Sequence, residues 1–555
     1  MSDLAIPPSG TNLQRWFKEH SGLDLDPSIN DLRDQQREAL EWIKSRPEPY
    51  LFVNAPTGSG KTLLAMCYGV MRQKPTTYAV HTIMLQEQVA RSFLNLPVLT
   101  GRRNHPCWVG EEIYGLPDNY SADRGACVVD ASSCQHAPKG VGGGGYVSPR
   151  EDDGELGFCP YYTQLRQGLG ARHRVTNYAM LLSYSPLQER TKTLLADEGH
   201  NVEEAVVGQA SLALNARTCN RFGIRLRNLG ADMEAWRAWA VESTDKLPSP
   251  TKGQRPDFGL KGLGDTLGTL RALTGDATGQ WLVEETDRGV AFTPIWGRDF
   301  VMSNLFHHDA PPPNADAYEA AEYRRKGIDK VLLVSATLMG AEYIASTLGF
   351  PDGSWAYLDL PSVFPVANRP INYSPVAQMS YNNREEARPK IQEAIDRLIE
   401  YYVLNSQPSG IIHAVSNEYR DNILTNSRWR GIMHSTPEDH AAALGAGEAS
   451  ILVAANVAEG YDGADALCRF IIMPKVPFPS LGDKRTMIRK NEDSRSYDHR
   501  TLVSVVQGAG RGVRHREDYC DTWILDGSWQ QLFSRTRSWL PDSFLSSYHH
   551  KVQLV

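Results

Sequence analysis

Ala55-Pro56-Thr57-Gly58-Ser59-Gly60-Lys61-Thr62 grows out of the apolar run YLFVNAP (50–56) and opens the helical pattern GKTLLAMCYGVMRQ (60–73). Strand, glycine-rich turn and helix in that order are the setting in which a phosphate loop makes physical sense. Glycines let backbone amides approach phosphates, and those amides together with the positive helix N-terminus cradle the anionic oxygens. Lys61 then neutralises charge on the β and γ phosphates, and the Thr62 hydroxyl can hold Mg²⁺. The competing reading is an ordinary strand-to-helix turn, and the placement of GxGKT weighs against it. The first position is Ala55, where the general pattern has glycine.

Outward from this loop, short apolar runs recur as YAVHT (78–82), TLLADE (193–198) and VLLVSAT (331–337), the pattern of buried parallel strands. DLRDQQREALEWIK (31–44) has helical spacing. A second alternating series follows, with a helix around 386–404 and strands GIIHAVS (410–416), ILVAAN (451–456), RFIIMP (469–474) and TWILD (522–526). Two α/β lobes are the economical reading. The first lobe is interrupted by two long insertions. Residues 101–175 contain the run GVGGGGY (140–146), read as a flexible loop, and 202–328 read mainly as helices, with Trp236 and Trp239 on one side and a PPP break at 311–313.

The chain has 555 residues, 41% hydrophobic and 22% charged, enough for several separate cores. It has neither an 18-residue apolar run nor a signal-peptide start, so the expectation is a cytoplasmic protein with no membrane contact. A net charge of −7 gives no general attraction to nucleic acid, and phosphate contacts would have to come from local basic patches. Cys67, Cys219, Cys468 and Cys520 are isolated, but Cys107, Cys127, Cys134 and Cys159 fall within 53 consecutive residues. Four thiolates can hold zinc or an iron–sulfur cluster, and with no C-x₂-C pair the chemistry leaves both open.

Asp197 and Glu198 end an apolar run, where a carboxylate pair can divide the labour of nucleotide hydrolysis. Asp197 is expected to bind Mg²⁺, usually through water, Glu198 to orient and deprotonate the attacking water, and His200 to link nucleotide and nucleic-acid sides. In isolation D-E-G-H reads better as a solvated acidic turn; its position after a phosphate loop reverses that preference. Gln507-Gly508-Ala509-Gly510-Arg511-Gly512-Val513-Arg514 offers two arginines three apart, which on a helix would share a face. As arginine fingers they would act when their lobe closes over the nucleotide.

Together these motifs resemble the DinG/XPD-type superfamily 2 helicases that carry an iron–sulfur domain inserted in the first motor lobe. APTGSGKT looks like that family's motif I, where an initial Ala is usual, and Arg33 and Gln36 look like its adenine-reading Q motif. HTIMLQEQ (81–88) resembles motif Ia, which puts Thr82 and Gln88 on nucleic acid, and VSATL (334–338) resembles motif III. AANVAEGYDGADALCRFIIMPKVPFPS (454–480) resembles motif V, which adds Asp462 to the nucleotide site, and QGAGRGVR resembles motif VI. GRRNHPC (101–107), Cys127, Cys134 and CPYY (159–162), with VTNYAMLLS (175–183) after them, carry the most specific part.

The resemblance implies an α/β fold of two RecA-like P-loop lobes. The first comprises 1–100, 176–201 and 329–360, interrupted by an iron–sulfur insertion at 101–175 and a mainly helical arch at 202–328, and 361–555 forms the second. It implies ATP and Mg²⁺ as cofactors and a [4Fe–4S] cluster on Cys107, Cys127, Cys134 and Cys159, with zinc the alternative. The implied activity is a 5′–3′ DNA helicase of repair, recombination or replication, working as a monomer on single-stranded and forked or tailed duplex DNA. Gly199 stands where the family usually has Ala, a change expected to leave the carboxylates in place while loosening the turn.

Arg102, Arg103, Arg166, Arg172 and Arg174 suggest a basic collar at the strand entrance, with Arg103 the residue placed to support the cluster. Tyr161 and Tyr162 read better as buried beside the metal site than as base-stacking groups. Lys484, Arg485, Arg489 and Lys490 form a second basic cluster on the second lobe. Two other readings stay open: a nucleic-acid-stimulated ATPase that translocates or remodels RNA or protein without unwinding, and a non-hydrolytic, metal-braced DNA-binding scaffold. Intact Lys61, Glu198, Arg511 and Arg514 argue against the scaffold.

Overall fold

The computed structural model describes residues 3–108, 121–128, 134, 136–137, 159–248, 257–273, 280–301, 327–455 and 465–554. Asp462, the glycine run 140–146 and the PPP break at 311–313 lie outside the described residues.

The first five strands are β1 (Tyr50–Asn54), β2 (Thr76–Val80), β3 (Val98–Leu99), β4 (His173–Asn177) and β5 (Thr193–Asp197). Three more fall in the second insertion: β6 (Leu212–Asn215), β7 (Trp281–Thr286) and β8 (Gly289–Pro294). With β9 (Lys330–Ser335) and β10 (Trp355–Asp359) a seven-stranded sheet is complete in the order β10-β1-β9-β5-β2-β4-β3. The pairs β2–β4, β2–β5 and β3–β4 are parallel. Every residue of β1, β2, β5 and β9 is buried, as expected of parallel strands covered on both faces.

The remaining strands, β11 (Ile371–Ala377), β12 (Ser409–His413), β13 (Met433–His434), β14 (Ser450–Ala454), β15 (Phe470–Met473), β16 (Asp521–Asp526) and β17 (Tyr548–His550), form an all-parallel sheet ordered β13-β14-β12-β15-β16-β11-β17. Alternation along these strands builds two cores. Ile411, Leu452, Ile471 and Ile524 face one layer with Leu502, Val505 and Trp529. Ile412, Val453, Ile472 and Trp523 face the other, against Ile391, Ile395 and Leu398 of the helix Arg384–Leu404. Period-two alternation between two apolar layers is what a sheet sandwiched by helices requires. These two parallel α/β sheets are consistent with two RecA-like lobes.

In the second insertion Trp236 and Trp239 are buried side by side, ring centroids 5.4 Å apart, on the helix Met233–Thr244. Its helices are joined by the antiparallel sheet β6-β8-β7, and Phe292 of β8 meets Trp236 edge-on at 5.1 Å. The helical reading of 202–328 missed these strands because WLVEET and GVAFTP are short and only partly apolar.

The described chain divides into two compact units: Met1–Leu51, Thr62–Leu333 and Ala345–Ala356; and Phe52–Lys61, Val334–Ile344 and Tyr357–Val555. Among the described residues no helix is long and apolar enough to cross a membrane.

Candidate nucleotide and metal sites

β1 ends at Asn54, and the phosphate loop runs from there to the helix Lys61–Met71, which is buried from Leu64 to its end. Gly58 and Gly60 have φ of 80° and 75°, left-handed values that favour glycine. A Cβ on Gly58 would stand 2.1 Å from Phe364 Cζ, so bare backbone is required there twice over. Asn54 anchors the loop's base: its Nδ2 donates to Asp359 Oδ1 at 2.7 Å and its Oδ1 accepts from Leu338 N at 2.9 Å, while Ala55 N donates to Ser335 O at 2.7 Å. Thr57 Oγ1 is 3.6 Å from where a Cβ on Gly510 would stand, which brings the loop beside the end of the Gln507–Arg514 motif. Neither Asn54 nor Phe364 figured in the sequence reading, because their partners are hundreds of residues away. Gln36 is buried and its Oε1 accepts from Arg33 N at 2.9 Å, capping the helix Asp34–Ser45.

At the end of β5, Asp197 is buried and held on three sides. Its Oδ2 accepts from the Tyr78 hydroxyl at 3.0 Å, its Oδ1 from Glu198 N at 2.9 Å, and its backbone carbonyl from the Tyr178 hydroxyl at 2.7 Å. Thr62, in the first turn of the helix Lys61–Met71, lies close to the Tyr78 phenol. Burial, then the Asp197 charge, holds the Tyr78 and Tyr178 phenols protonated, well above their usual range. Glu198 takes a left-handed backbone, φ 46° and ψ 51°, and its Oε2 lies 3.4 Å from His200 Nδ1. Gly199 does not loosen this turn. A Cβ there would stand 2.8 Å from Leu333 Cβ, so the turn is packed directly on β9.

The arginine motif differs from its sequence reading. The helix Arg495–Ala509 contains Gln507 but stops at Gly510, so Arg511 and Arg514 follow the helix instead of sharing one of its faces. Glycines at 508, 510 and 512 explain the stop. Arg514 N is tied to Asp518 Oδ2 at 3.0 Å, and Gln507 and Arg511 line a cavity of about 530 Å³ with Lys475 and Arg500.

The four clustered cysteines converge. A Cβ on Gly125 would lie 3.0 Å from Cys107 Sγ and 3.6 Å from Cys127 Sγ. Cys134 lies within electrostatic reach of Cys127 and Cys159, and Cys159, at the N-terminus of the helix Pro160–Gly170, within reach of Cys127 and Cys107. Within the Cys127–Cys134 pair, the interaction with Cys134 and then the Arg102 charge draw the Cys127 thiol below its usual range, while Cys134 is pushed above its own. Of the two arginines, Arg102 is the one in contact with a cysteine: its Nη1 is 2.8 Å from Cys127 Sγ and its guanidinium lies 4.4 Å from the Tyr161 ring centroid, whereas Arg103 is exposed. Tyr161 and Tyr162 are buried, as read.

The basic collar is smaller than the sequence suggested. Arg174 is buried in β4, and Arg172 donates to Gln73 Oε1 at 3.0 Å. Arg489 of the second basic cluster is buried, with Nη2 3.4 Å from the Tyr343 hydroxyl. Thr82 Oγ1 accepts from Leu85 N at 3.3 Å, capping the helix Ile83–Ser92, on which Gln88 is exposed.

Comparison with known proteins agrees with this geometry. Residues 379–546 match the helicase C-terminal domain family. Short stretches match the ATP-dependent DNA helicase CHL1 of Saccharomyces cerevisiae (25% identity; 19% of this chain and 14% of that protein) and the regulator of telomere elongation helicase 1 homolog of Drosophila sechellia (30%; 18% and 13%). The matched stretches thus span about one-seventh of those relatives' length. Over nearly its whole length the chain superposes on a solved XPD helicase at TM-score 0.57 and 17% identity, covering 94% of this chain and 100% of that one. Xpd4 of S. tokodaii gives 0.50 at 13%, covering 93% and 100%. At those identities the likeness speaks for the fold.

Proposed function

Taking the chain as a DinG/XPD-type superfamily 2 helicase, we propose that it is an ATP-dependent DNA helicase that moves 5′ to 3′ along one strand and separates tailed or forked duplexes in DNA repair, recombination or replication. The observation that carries the hydrolytic part is the Thr62–Tyr78–Asp197–Glu198 constellation, a metal-binding hydroxyl and carboxylate with a second carboxylate beside them. Thr62 and Asp197 would hold Mg²⁺, which supplies positive charge to the phosphates. The loop amides and Lys61 bind the triphosphate, with Arg33, Gln36 and Asp462 on the nucleotide. Glu198 takes the proton of the attacking water, and its contact with His200 carries that state toward the nucleic-acid side. Gln507, Arg511 and Arg514 answer the charge developing on the γ-phosphate.

Cys107, Cys127, Cys134 and Cys159 fit a four-thiolate centre, and the family likeness favours [4Fe–4S] over zinc. Such a centre would brace the insertion. Arg102 serves it by holding the Cys127 sulfur, and Thr82, Gln88 and Arg103 contact the strand. The test is phosphate release from ATP with and without single-stranded DNA: the wild type is expected to be stimulated by DNA and Lys61→Ala to be inactive. DNA-independent hydrolysis, or none, would overturn the proposal, and stimulation by RNA alone would favour an RNA remodeller.

A further inference from the structure

Resting on the proposed Mg²⁺–ATP chemistry, we propose that Tyr78 is a positioning residue of the metal site, fixing the carboxylate ligand Asp197 through its phenol. β2 and β5 are parallel neighbours with Tyr78 opposite Leu195, so Asp197 lies two residues further along, within the reach of a tyrosine side chain. The phenol completes that reach, 3.0 Å from Asp197 Oδ2, with Thr62 close by.

An ionised carboxylate only accepts, and the Tyr78 hydroxyl donates to Asp197. A carboxylate that binds a cation must keep its lone pairs aimed at the ion, which free rotation about the Cβ–Cγ bond would lose. Asp197 is meanwhile held against rotation by donors on both oxygens, Tyr78 on Oδ2 and Glu198 N on Oδ1. An apolar core alone would be served as well by phenylalanine; a fully buried hydroxyl whose partner is a candidate ligand has a further task. Tyr178 is the internal contrast, equally buried but bonded to the backbone carbonyl of Asp197 and not to its side chain.

The experiment is a Mg²⁺ titration of binding of a fluorescent, non-hydrolysable ATP analogue to wild type, Tyr78→Phe and Tyr178→Phe, with Mn²⁺ paramagnetic resonance reporting the ion directly. Tyr78→Phe is expected to bind the analogue normally without metal and to need about tenfold more Mg²⁺ for half-saturation, the size of a lost hydrogen bond to a charged group. Tyr178→Phe is expected to stay within about twofold of wild type, since it leaves the Asp197 side chain's partners in place. In an Asp197→Asn background Tyr78→Phe should add little, which separates positioning from a general loss of packing. Should Tyr78→Phe melt early in the absence of nucleotide, this double-variant cycle at low temperature decides. A Tyr78→Phe protein with wild-type Mg²⁺ dependence, beside a wild type that binds Mg²⁺ and nucleotide, overturns the role of Tyr78 alone. A wild type that binds neither overturns the proposed function and this role together.

Discussion

Gly199→Ala adds one methyl group to the turn that follows the two carboxylates, and the structure says where it must go. The new Cβ would stand 2.8 Å from Leu333 Cβ and 3.2 Å from Leu333 Cδ2. A rotamer change can clear the second contact, but not the first, because Cβ moves only with the backbone. Leu333 lies in the fully buried β9. Opening the contact from 2.8 Å to an ordinary 3.4 Å therefore moves either β9 or the Glu198 turn by about 0.6 Å. Overpacking of this kind costs about 1–3 kcal/mol. With Glu198 as the proposed catalytic carboxylate, a shift of that size should lower turnover by roughly tenfold, given that a displacement near 1 Å costs on the order of a hundredfold. Urea unfolding reads the first effect and DNA-stimulated ATP hydrolysis the second. An alanine variant matching wild type in both midpoint and turnover would refute the packing argument, and with it the explanation of why glycine stands here where the family it resembles usually has alanine.

Other expectations follow from the same geometry. Cys107→Ser should lose metal and unwinding while keeping part of its ATP hydrolysis, read by metal analysis beside phosphate release; wild-type unwinding without metal would contradict it. If the four cysteines hold a metal, Arg102→Ala should lose it to a chelator at least several-fold faster than Arg103→Ala, because among the described residues it is Arg102 of the two that touches one of the four sulfurs; equal rates would return the role to Arg103. Burial first, then Arg172 and Arg174, pulls His173 from 6.5 down to about 3, and neither ring nitrogen has a hydrogen-bond partner among the described residues. Between those values the unfolded chain binds more protons than the folded one, so stability is lost as pH falls from 6.5 toward 3, by up to roughly 1.4 kcal/mol per pH unit. His173→Leu should flatten that limb relative to wild type in urea titrations at successive pH values, and parallel curves would count against it.

Local chemistry was the legible part. The buried strands, the phosphate loop and the carboxylate pair each announce themselves within a few residues, and the structure places the strand cores where the apolar runs lie. The four cysteines could be picked out by crowding alone, but their convergence depends on how the chain returns through Gly125 and the helix Pro160–Gly170. What stayed hidden is set by distant partners. Tyr78 and Tyr178 look like core aromatics until Asp197 is found between them. Arg174 reads as surface charge until β4 buries it. The choice between Arg102 and Arg103 turns on which neighbour points inward, which a helical or strand period does not specify in a three-residue turn. Arg511 and Arg514 were placed on a helix by spacing, although the glycines around them already carried the signal for its end.

The proposed motor couples ATP hydrolysis to 5′–3′ strand separation with an iron–sulfur centre in its first insertion. Anaerobic purification with iron, sulfide and zinc analysis, followed by unwinding of duplexes carrying a 5′ or a 3′ single-stranded tail, decides it. About four irons per chain and ATP-dependent unwinding of the 5′-tailed duplex are expected. Zinc at the four cysteines, unwinding from 3′ tails, or ATP hydrolysis with no strand separation on either substrate would contradict it.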